Sequence, residues 1–338
     1  MGNPSPVKIG ILGTGRIAAV MAETLKKLRA SGSQEVTLAA VASRSLGRAQ
    51  EFIKENGLDD TAAFGSYEDL AKSDCDLIYV ATPNQCHCEN ACLCLRHGKH
   101  VLVEKPFSAN RREAELMLKT AAEHQVLLTE GIWTRYQPLR GLIASELAEG
   151  AIGTPLMLEA NLGYPIAAKK RIVSPEYAGG ALLDLGVYVL NFALMFFGHP
   201  EDLELSCVKN AAGMDMQDTI SLRFSGGRMA SLCVSALCAQ NRRAVISGSK
   251  GYLEVYNINN PERYRIYDAQ YRLLKTVERP AQLTGFEYEV LEAARCLREG
   301  QTECPSVSHE ESLYVMGLLD SLRAQGGIVF PQDHKEHL

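Results

Sequence analysis

Over residues 1–130, short apolar runs rich in β-branched side chains alternate with longer stretches whose apolar positions recur at helical spacing. The short runs predict strands at Val7 to Leu12, Val36 to Ala42, Leu77 to Thr82, His100 to Val103 and Val126 to Thr129. The longer stretches predict helices at Ile17 to Ala30, Leu46 to Asn56, Cys88 to His97 and Arg111 to His124. Strand and helix in strict alternation imply a doubly wound parallel sheet, covered on both faces, with its ligand site outside the carboxyl ends of the strands.

After Gly131 the rhythm changes. A strand at Pro155 to Gly163 leads to a loop and an almost wholly apolar helix, about Ala181 to Phe197. Strand-like runs follow at Leu203 to Val208, Thr219 to Phe224, Met229 to Leu237, Ala244 to Ser249, Tyr252 to Tyr256 and Arg263 to Tyr267, then helices at Phe286 to Arg298 and Glu310 to Ala324. Short turns such as Ser225-Gly226-Gly227 imply a mostly antiparallel sheet with one open face. The expected fold is therefore α/β, with a first domain over 1–130 and an α+β domain over 131–338.

Composition narrows the function classes. The chain has 338 residues, 46% of them apolar and 22% charged, enough for two substantial cores. A net charge of −5, with no basic run denser than Lys169-Lys170-Arg171, argues against nucleic acid as a partner. No stretch is read as a membrane span, and Asn3, Pro4 and Ser5 do not open a signal sequence, so a cytoplasmic location is expected. Of ten cysteines, Cys86, Cys88, Cys92 and Cys94 invite a metal reading. On a helix their sulfurs point to roughly 0°, 200°, 240° and 80° and cannot converge on one ion. They are read as apolar fillers, and His87 as structural or cofactor-adjacent; no metal is expected.

Gly13, Gly15 and Ala18 match GxGxxG/A, following a strand and opening a helix, as a dinucleotide fingerprint requires. The first glycine permits the tight turn and the second lets backbone approach a pyrophosphate at the helix N-terminus. This makes the first domain Rossmann-like. The second strand ends in Ala42-Ser43-Arg44, without the carboxylate that would bind a ribose 2′-hydroxyl. Arg44 offers a guanidinium to a 2′-phosphate and Ser43 a hydroxyl, so NADP is expected over NAD. Arg44 as a surface residue of the next helix is the alternative. The expected cofactor set is Gly13, Thr14, Gly15, Arg16 and Ile17, Ser43 and Arg44, Thr82, Pro83, Asn84 and His87, and Glu104 and Lys105.

Lys105 follows a strand at the carboxyl edge of this sheet, where a nicotinamide would lie. In GGALLDLGVYVLNFALMFFG the polar exceptions Asp184, Tyr188 and Asn191 fall at i, i+4 and i+7, one face of a helix apolar enough to be buried. Such groups need partners or an aqueous cleft. They form either a hydrogen-bonded core cluster or, with Lys105, a proton-transfer site. Gly186 within the helix suggests a close approach on its face.

GTGRIA at Gly13 to Ala18, EKPF at Glu104 to Phe107 and GGALLDLGVY at Gly179 to Tyr188 resemble the Gfo/Idh/MocA oxidoreductases. GSYEDLA at Gly65 to Ala71 and WTRYQP at Trp133 to Pro138 resemble the branch containing dimeric dihydrodiol dehydrogenase and NADP-dependent D-xylose dehydrogenase, and the likeness covers essentially the whole chain. The resemblance implies a catalytic pair Lys105 and Tyr188, with Asp184 in the site and Trp133 and Arg135 near the substrate. Trp133 fits a junction core equally well. Tyr164, Arg171 and Tyr177 are further pocket candidates. Lowering a tyrosine pKa by three units takes about 4 kcal/mol, and a lysine charge about 4 Å away at an effective dielectric near 20 supplies roughly as much. The expected function is hydride transfer between NAD(P) and a secondary alcohol or carbonyl of a sugar, cyclic polyol or trans-dihydrodiol, in a homodimer or homotetramer. A nicotinamide-binding regulator without chemistry is the alternative.

Overall fold

The structure, a computed structural model, describes residues 5–335. Asn3 and Pro4, used above to read the N-terminus, lie outside them. The chain forms two compact units, one of residues up to Gly131 together with Gln282–Tyr314, the other of Ile132–Ala281 together with the residues from Val315 onward. The single boundary expected near residue 130 is thus corrected: the chain returns to the first unit for Gln282–Tyr314 and leaves it again within its last long helix.

The first unit runs β1 (Val7–Leu12), α1 (Arg16–Ala30), β2 (Val36–Ala42), α2 (Leu46–Asn56), β3 (Ala62–Phe64), α3 (Tyr67–Ala71), β4 (Leu77–Val80), α4 (His87–Arg96), β5 (His100–Glu104), α5 (Arg111–His124) and β6 (Leu128–Gly131). The order β3-β2-β1-β4-β5-β6 is parallel throughout, reversing direction between β1 and β4. Strands buried on both faces read as continuous apolar runs, and Ile9, Ile11, Leu12 and Leu77 to Val80 are fully buried. Helix starts follow local chemistry. Ser45 accepts the Arg48 amide, and Asn110 accepts the Glu113 amide while the Glu113 carboxylate takes the Ala109 amide in return. β3 and α3 are too short for a periodic signal. The expected strand Val126 to Thr129 lies two residues later, which brings Glu130 and Gly131 into β6. In α4, Cys88 faces the Glu113 carbonyl and Cys92 the Thr120 hydroxyl, so these thiols fill the packing against α5.

The second unit holds α6 (Pro138–Ala148), β7 (Pro155–Gly163), α7 (Lys170–Val173), a π-turn (Leu182–Gly186) running into α8 (Val187–Phe197), and β8 (Asp202–Lys209), β9 (Asp215–Arg223), β10 (Met229–Ser235), β11 (Arg243–Gly248), β12 (Gly251–Tyr256), β13 (Arg263–Asp268) and β14 (Leu273–Glu278). The eight strands order as β14-β13-β12-β11-β7-β10-β9-β8, antiparallel except where β7 meets β10. Inward residues Leu158, Ala160, Ile220, Leu222, Leu232, Val234 and Ile246 are buried, alternating with more exposed ones. α6 and β14 were not anticipated. α9 (Glu287–Arg298) lies in the first unit, and α10 (His309–Gly326) carries the chain out of it. Pro175–Phe197 is long and apolar enough to cross a membrane by length and composition, contrary to the expectation that no stretch was. Of its most apolar 18-residue window 83% is buried, as befits a core segment of its unit.

Candidate active site

The first unit builds its site at the β1–β4 reversal. Gly13 has φ of +116°, and a Cβ there would stand 2.8 Å from the Ala81 carbonyl oxygen, so only glycine fits the turn between the ends of β1 and β4. A Cβ at Gly15 would meet nothing within 4 Å, and Gly15 caps α1 without a side-chain hydrogen bond. The N-terminus of α1 thus has open space beside Gly15 and no capping side chain on its first amides, an arrangement suited to a phosphate. Thr14 donates to Ser43 at 3.4 Å, linking the glycine turn to the end of β2. Arg44 is exposed and precedes Ser45, the cap of α2. Its guanidinium thus stands on the loop at the strand end rather than on the helix. It lies close enough to Tyr67 for its charge to oppose the upward push of burial on that phenol. A dinucleotide with a phosphorylated ribose fits these residues.

The loops after β4 and β5 are joined from within. His87 is 1% exposed, with one ring nitrogen 2.8 Å from the Pro106 carbonyl and the other 2.9 Å from the Thr82 carbonyl. Both ring nitrogens face loop carbonyls, so His87 sits between the two loops and braces them, the structural role among those expected of it. Burial pushes its imidazole below the ordinary histidine range, against the two carbonyls. Asn90 donates to the Thr82 hydroxyl at 3.1 Å. Pro83 is exposed and Asn84 partly so, which leaves them at the surface of the loop. Glu104 is 5% exposed and turned inward, accepting the Tyr79 hydroxyl and, at 3.2 Å, the Lys105 amide. Lys105 itself is partly exposed at the end of β5.

The second unit gathers the other candidates. Asp184 sits in the π-turn and Tyr188 in the first turn of α8. A π-turn interrupts the regular spacing on which the i, i+4, i+7 stripe was drawn. Of the three residues only Tyr188 remains partly exposed, since Asp184 and Asn191 are buried. Both Asp184 oxygens accept from Arg171, at 2.8 and 3.2 Å, in a forked pair. Arg135 is 4% exposed and its Nε donates to Asn191 Oδ1, so it stands in the core against α8 instead of presenting an open guanidinium. Trp133 is half-buried in the short turn Trp133–Arg135. Tyr164 receives the Arg242 guanidinium at 3.2 Å, with that group 5.6 Å above its ring, and donates to Asn259 at 3.4 Å. Arg242 was missed because 78 residues separate it from Tyr164. Tyr177 lies under the Lys170 ammonium, 5.4 Å from the ring centre. The close approach suspected at Gly186 is local: a Cβ there would stand 2.9 Å from Leu182 Cδ1.

Asp215, 1% exposed on β9, accepts the Leu182 amide at 2.5 Å and so fixes the start of the π-turn. A Cβ at Gly180, where φ is +97°, would fall 2.1 Å from Asp215 Oδ1. Asp218, 3% exposed, pairs with Asp215 through their carboxyls, and burial followed by the Asp215 charge pushes it up to about 9. Burial raises the Asp215 carboxyl too, but the backbone donors, Leu182 first, and then the Asp218 carboxyl draw it back down, so it is the lower-titrating member of the pair. Asp218 keeps the proton and donates it to Asp215.

Residues 7–132 match the model of an oxidoreductase family with an NAD-binding Rossmann fold, and residues 142–254 match the GFO/IDH/MocA C-terminal domain. Trans-1,2-dihydrobenzene-1,2-diol dehydrogenase from Homo sapiens is 32% identical over 334 residues, covering 96% of this chain and 98% of its own length, and that from Danio rerio is 32% identical over 337. The structure of KijD10, a 3-ketoreductase from Actinomadura kijaniata in complex with NADP and TDP-benzene, superposes with a TM-score of 0.83 at 27% identity, over 95% of this chain and 98% of that one. Levoglucosan dehydrogenase shares the fold, with a TM-score of 0.84 at 16% identity and coverage of 96% and 98%. With both domain models matched and curated relatives similar along nearly the whole length, this chain belongs to the Gfo/Idh/MocA oxidoreductases.

Proposed function

We propose that this NAD(P)-binding oxidoreductase uses NADP and acts on a secondary alcohol or carbonyl of a dihydrodiol, sugar or cyclic polyol. The observation that carries the reading is the Gly13–Gly15 turn, closed against Ala81 on one side and open above α1 on the other, with Arg44 beside it in place of a carboxylate. The relatives that share the whole chain length are named for a trans-dihydrodiol, and KijD10 was crystallised with NADP.

Gly13, Thr14, Gly15, Arg16 and Ile17 would hold the pyrophosphate and Ser43 and Arg44 the phosphorylated ribose, with Thr82, Pro83 and Asn84 beside the nicotinamide. The bound cofactor supplies a hydride donor or acceptor. Lys105 polarises the reacting oxygen and Tyr188 exchanges its proton. Arg171 orients Asp184 through its forked pair, and Trp133, Tyr164 and Arg135 shape or brace the substrate side. We further read the face of the second sheet that carries Tyr252, Glu254, Tyr256, Arg263 and Arg265 as the surface through which copies pair into a homodimer or homotetramer, in the cytoplasm.

A panel of trans-dihydrodiols, sugars and polyols, followed by NADPH absorbance in both directions, tests the activity. Turnover of at least one class supports it. Tight NADP binding without turnover of any member would replace it with a nicotinamide-binding regulator.

A further inference from the structure

The segment that carries Asp184 and Tyr188 is not a regular helix. In the π-turn the Val187 amide donates back to the Leu182 carbonyl, one residue farther than in an α-turn. The extra residue turns the side chains before it by about 100° relative to those on α8. The placement of Asp184 against Tyr188 therefore depends on where the π-turn sits. Such turns are rare within helices, so something outside this one must hold it.

Asp215 supplies the hold. In β9 the inward positions Met216, Asp218, Ile220 and Leu222 are buried, and regular alternation would turn Asp215 to the opposite face, with Gln217 and Thr219. The register against β8 shifts between Val208, which pairs with Gln217, and Lys209, which pairs with Asp215. That irregularity re-aims Asp215 inward, where its carboxyl takes the Leu182 amide at 2.5 Å. Leu182 is thus fixed at both ends, its amide by Asp215 and its carbonyl by Val187. Two glycines let the chain reach this point. A Cβ on Gly180 would lie 2.1 Å from Asp215 Oδ1, and one on Gly179 would lie 2.6 Å from the Ile172 carbonyl oxygen and 2.7 Å from that of Arg171. The Gly180 amide donates to the Ile172 carbonyl at 2.8 Å. Asp215 therefore grips one side of the Gly179-Gly180 turn and the backbone of Arg171 and Ile172 the other, while the Arg171 guanidinium takes Asp184.

We propose that Asp215 is a positioning residue for Asp184 and Tyr188: its hold on the Leu182 amide sets the register of the π-turn, and that register sets the phase between the two side chains. Asp215 itself touches no reacting atom. Without its oxygen the Leu182 amide loses its acceptor, and the turn is free to slide or to relax toward an α-helix. The positioning role rests on the assignment of Asp184 and Tyr188 to the reaction proposed above; the hold on the turn does not.

Hydrogen exchange of the whole protein, followed by mass spectrometry, tests the hold. In Asp215→Ala the segment Gly179 to Tyr188 should exchange about tenfold faster or more with β7 and β10 unchanged, because a released turn opens locally. Asp215→Asn keeps an oxygen for the Leu182 amide and should stay near the wild type. Wild-type exchange of this segment in a folded Asp215→Ala overturns the proposal whatever the activity, and so does an equal rise in β7 and β10, which marks a general loss of stability. Kinetics with a substrate found by the panel test the positioning. Asp215→Ala should lower kcat about tenfold or more with KM for NADP little changed, the split expected of misplaced reactive groups beside an intact cofactor site, and Asp215→Asn should recover most of that loss. A wild-type kcat in Asp215→Ala with the segment loosened refutes the positioning role alone. If Asp215→Ala fails to fold, Gly180→Ala takes its place with the same expected results, since its Cβ would push the Asp215 carboxyl off the Leu182 amide, and wild-type exchange in that variant refutes the hold. A panel that finds no substrate counts against the function proposed above, and the exchange result then decides the hold by itself.

Discussion

Replacing Asp218 with asparagine should make the protein more stable at neutral pH, although it removes a buried side chain from a hydrogen-bonded pair. Asp218 is 3% exposed beside Asp215, whose carboxylate takes the Leu182 amide. Its folded-state carboxyl is pushed up to about 9, burial first and the Asp215 charge second. An unfolded aspartate titrates near 3.9, so between about pH 4 and pH 9 folding takes up a proton, and stability falls as pH rises, by up to about 1.4 kcal/mol per pH unit. At pH 7 that amounts to roughly 4 kcal/mol as an upper bound, with the full contribution present only below the unfolded pKa. Asparagine matches the neutral acid in shape, keeps an N–H donor for Asp215 and needs no proton. Urea unfolding of wild type and Asp218→Asn at pH 5, 7 and 8.5 should show the variant gaining on the wild type at each step, with its midpoint higher at pH 7 and above. A variant less stable than the wild type at pH 8.5, or two curves parallel across the range, would refute the protonated-pair assignment.

Tyr188→Phe should reduce kcat by about a hundredfold or more, the scale of a lost general acid or base, while NADP affinity measured by fluorescence titration stays unchanged. Near wild-type turnover would remove Tyr188 from the chemistry. Arg44→Ala should raise KM for NADP by about tenfold or more and leave KM for NAD nearly constant, because a charge-assisted contact to the 2′-phosphate contributes roughly 1.5–3 kcal/mol; an equal change for both cofactors would place Arg44 elsewhere. Gly13→Ala combines a φ of +116° with a Cβ 2.8 Å from the Ala81 oxygen, and should lose cofactor binding with a lower melting temperature. Retained NADP affinity in that variant would mean the turn is not the cofactor cradle.

Elements whose signal is local were legible in the chain. The β1 run, the glycine spacing and the start of α1 lie within a dozen residues, and each position's requirement follows from backbone geometry at that position. Lys105 could be placed at a strand end for the same reason. The stripe Asp184, Tyr188, Asn191 was found by helical period, but the π-turn was not, because it depends on a backbone held from outside by Asp215. β14, α3 and β3 escaped because short segments with mixed polarity carry little periodicity.

The sequence by itself determined the doubly wound first unit, the cofactor class and the candidate reactive side chains, because periodicity, turn glycines and strand ends are written in consecutive residues. Only the tertiary structure decided the partners of those side chains. Arg171 came to Asp184, Arg135 to Asn191, Arg242 to Tyr164, and Asp215 to the Leu182 amide. These pairings join residues from 13 to 78 positions apart. They are set by which buried polar groups meet when the apolar faces pack, a condition no local window of the chain contains.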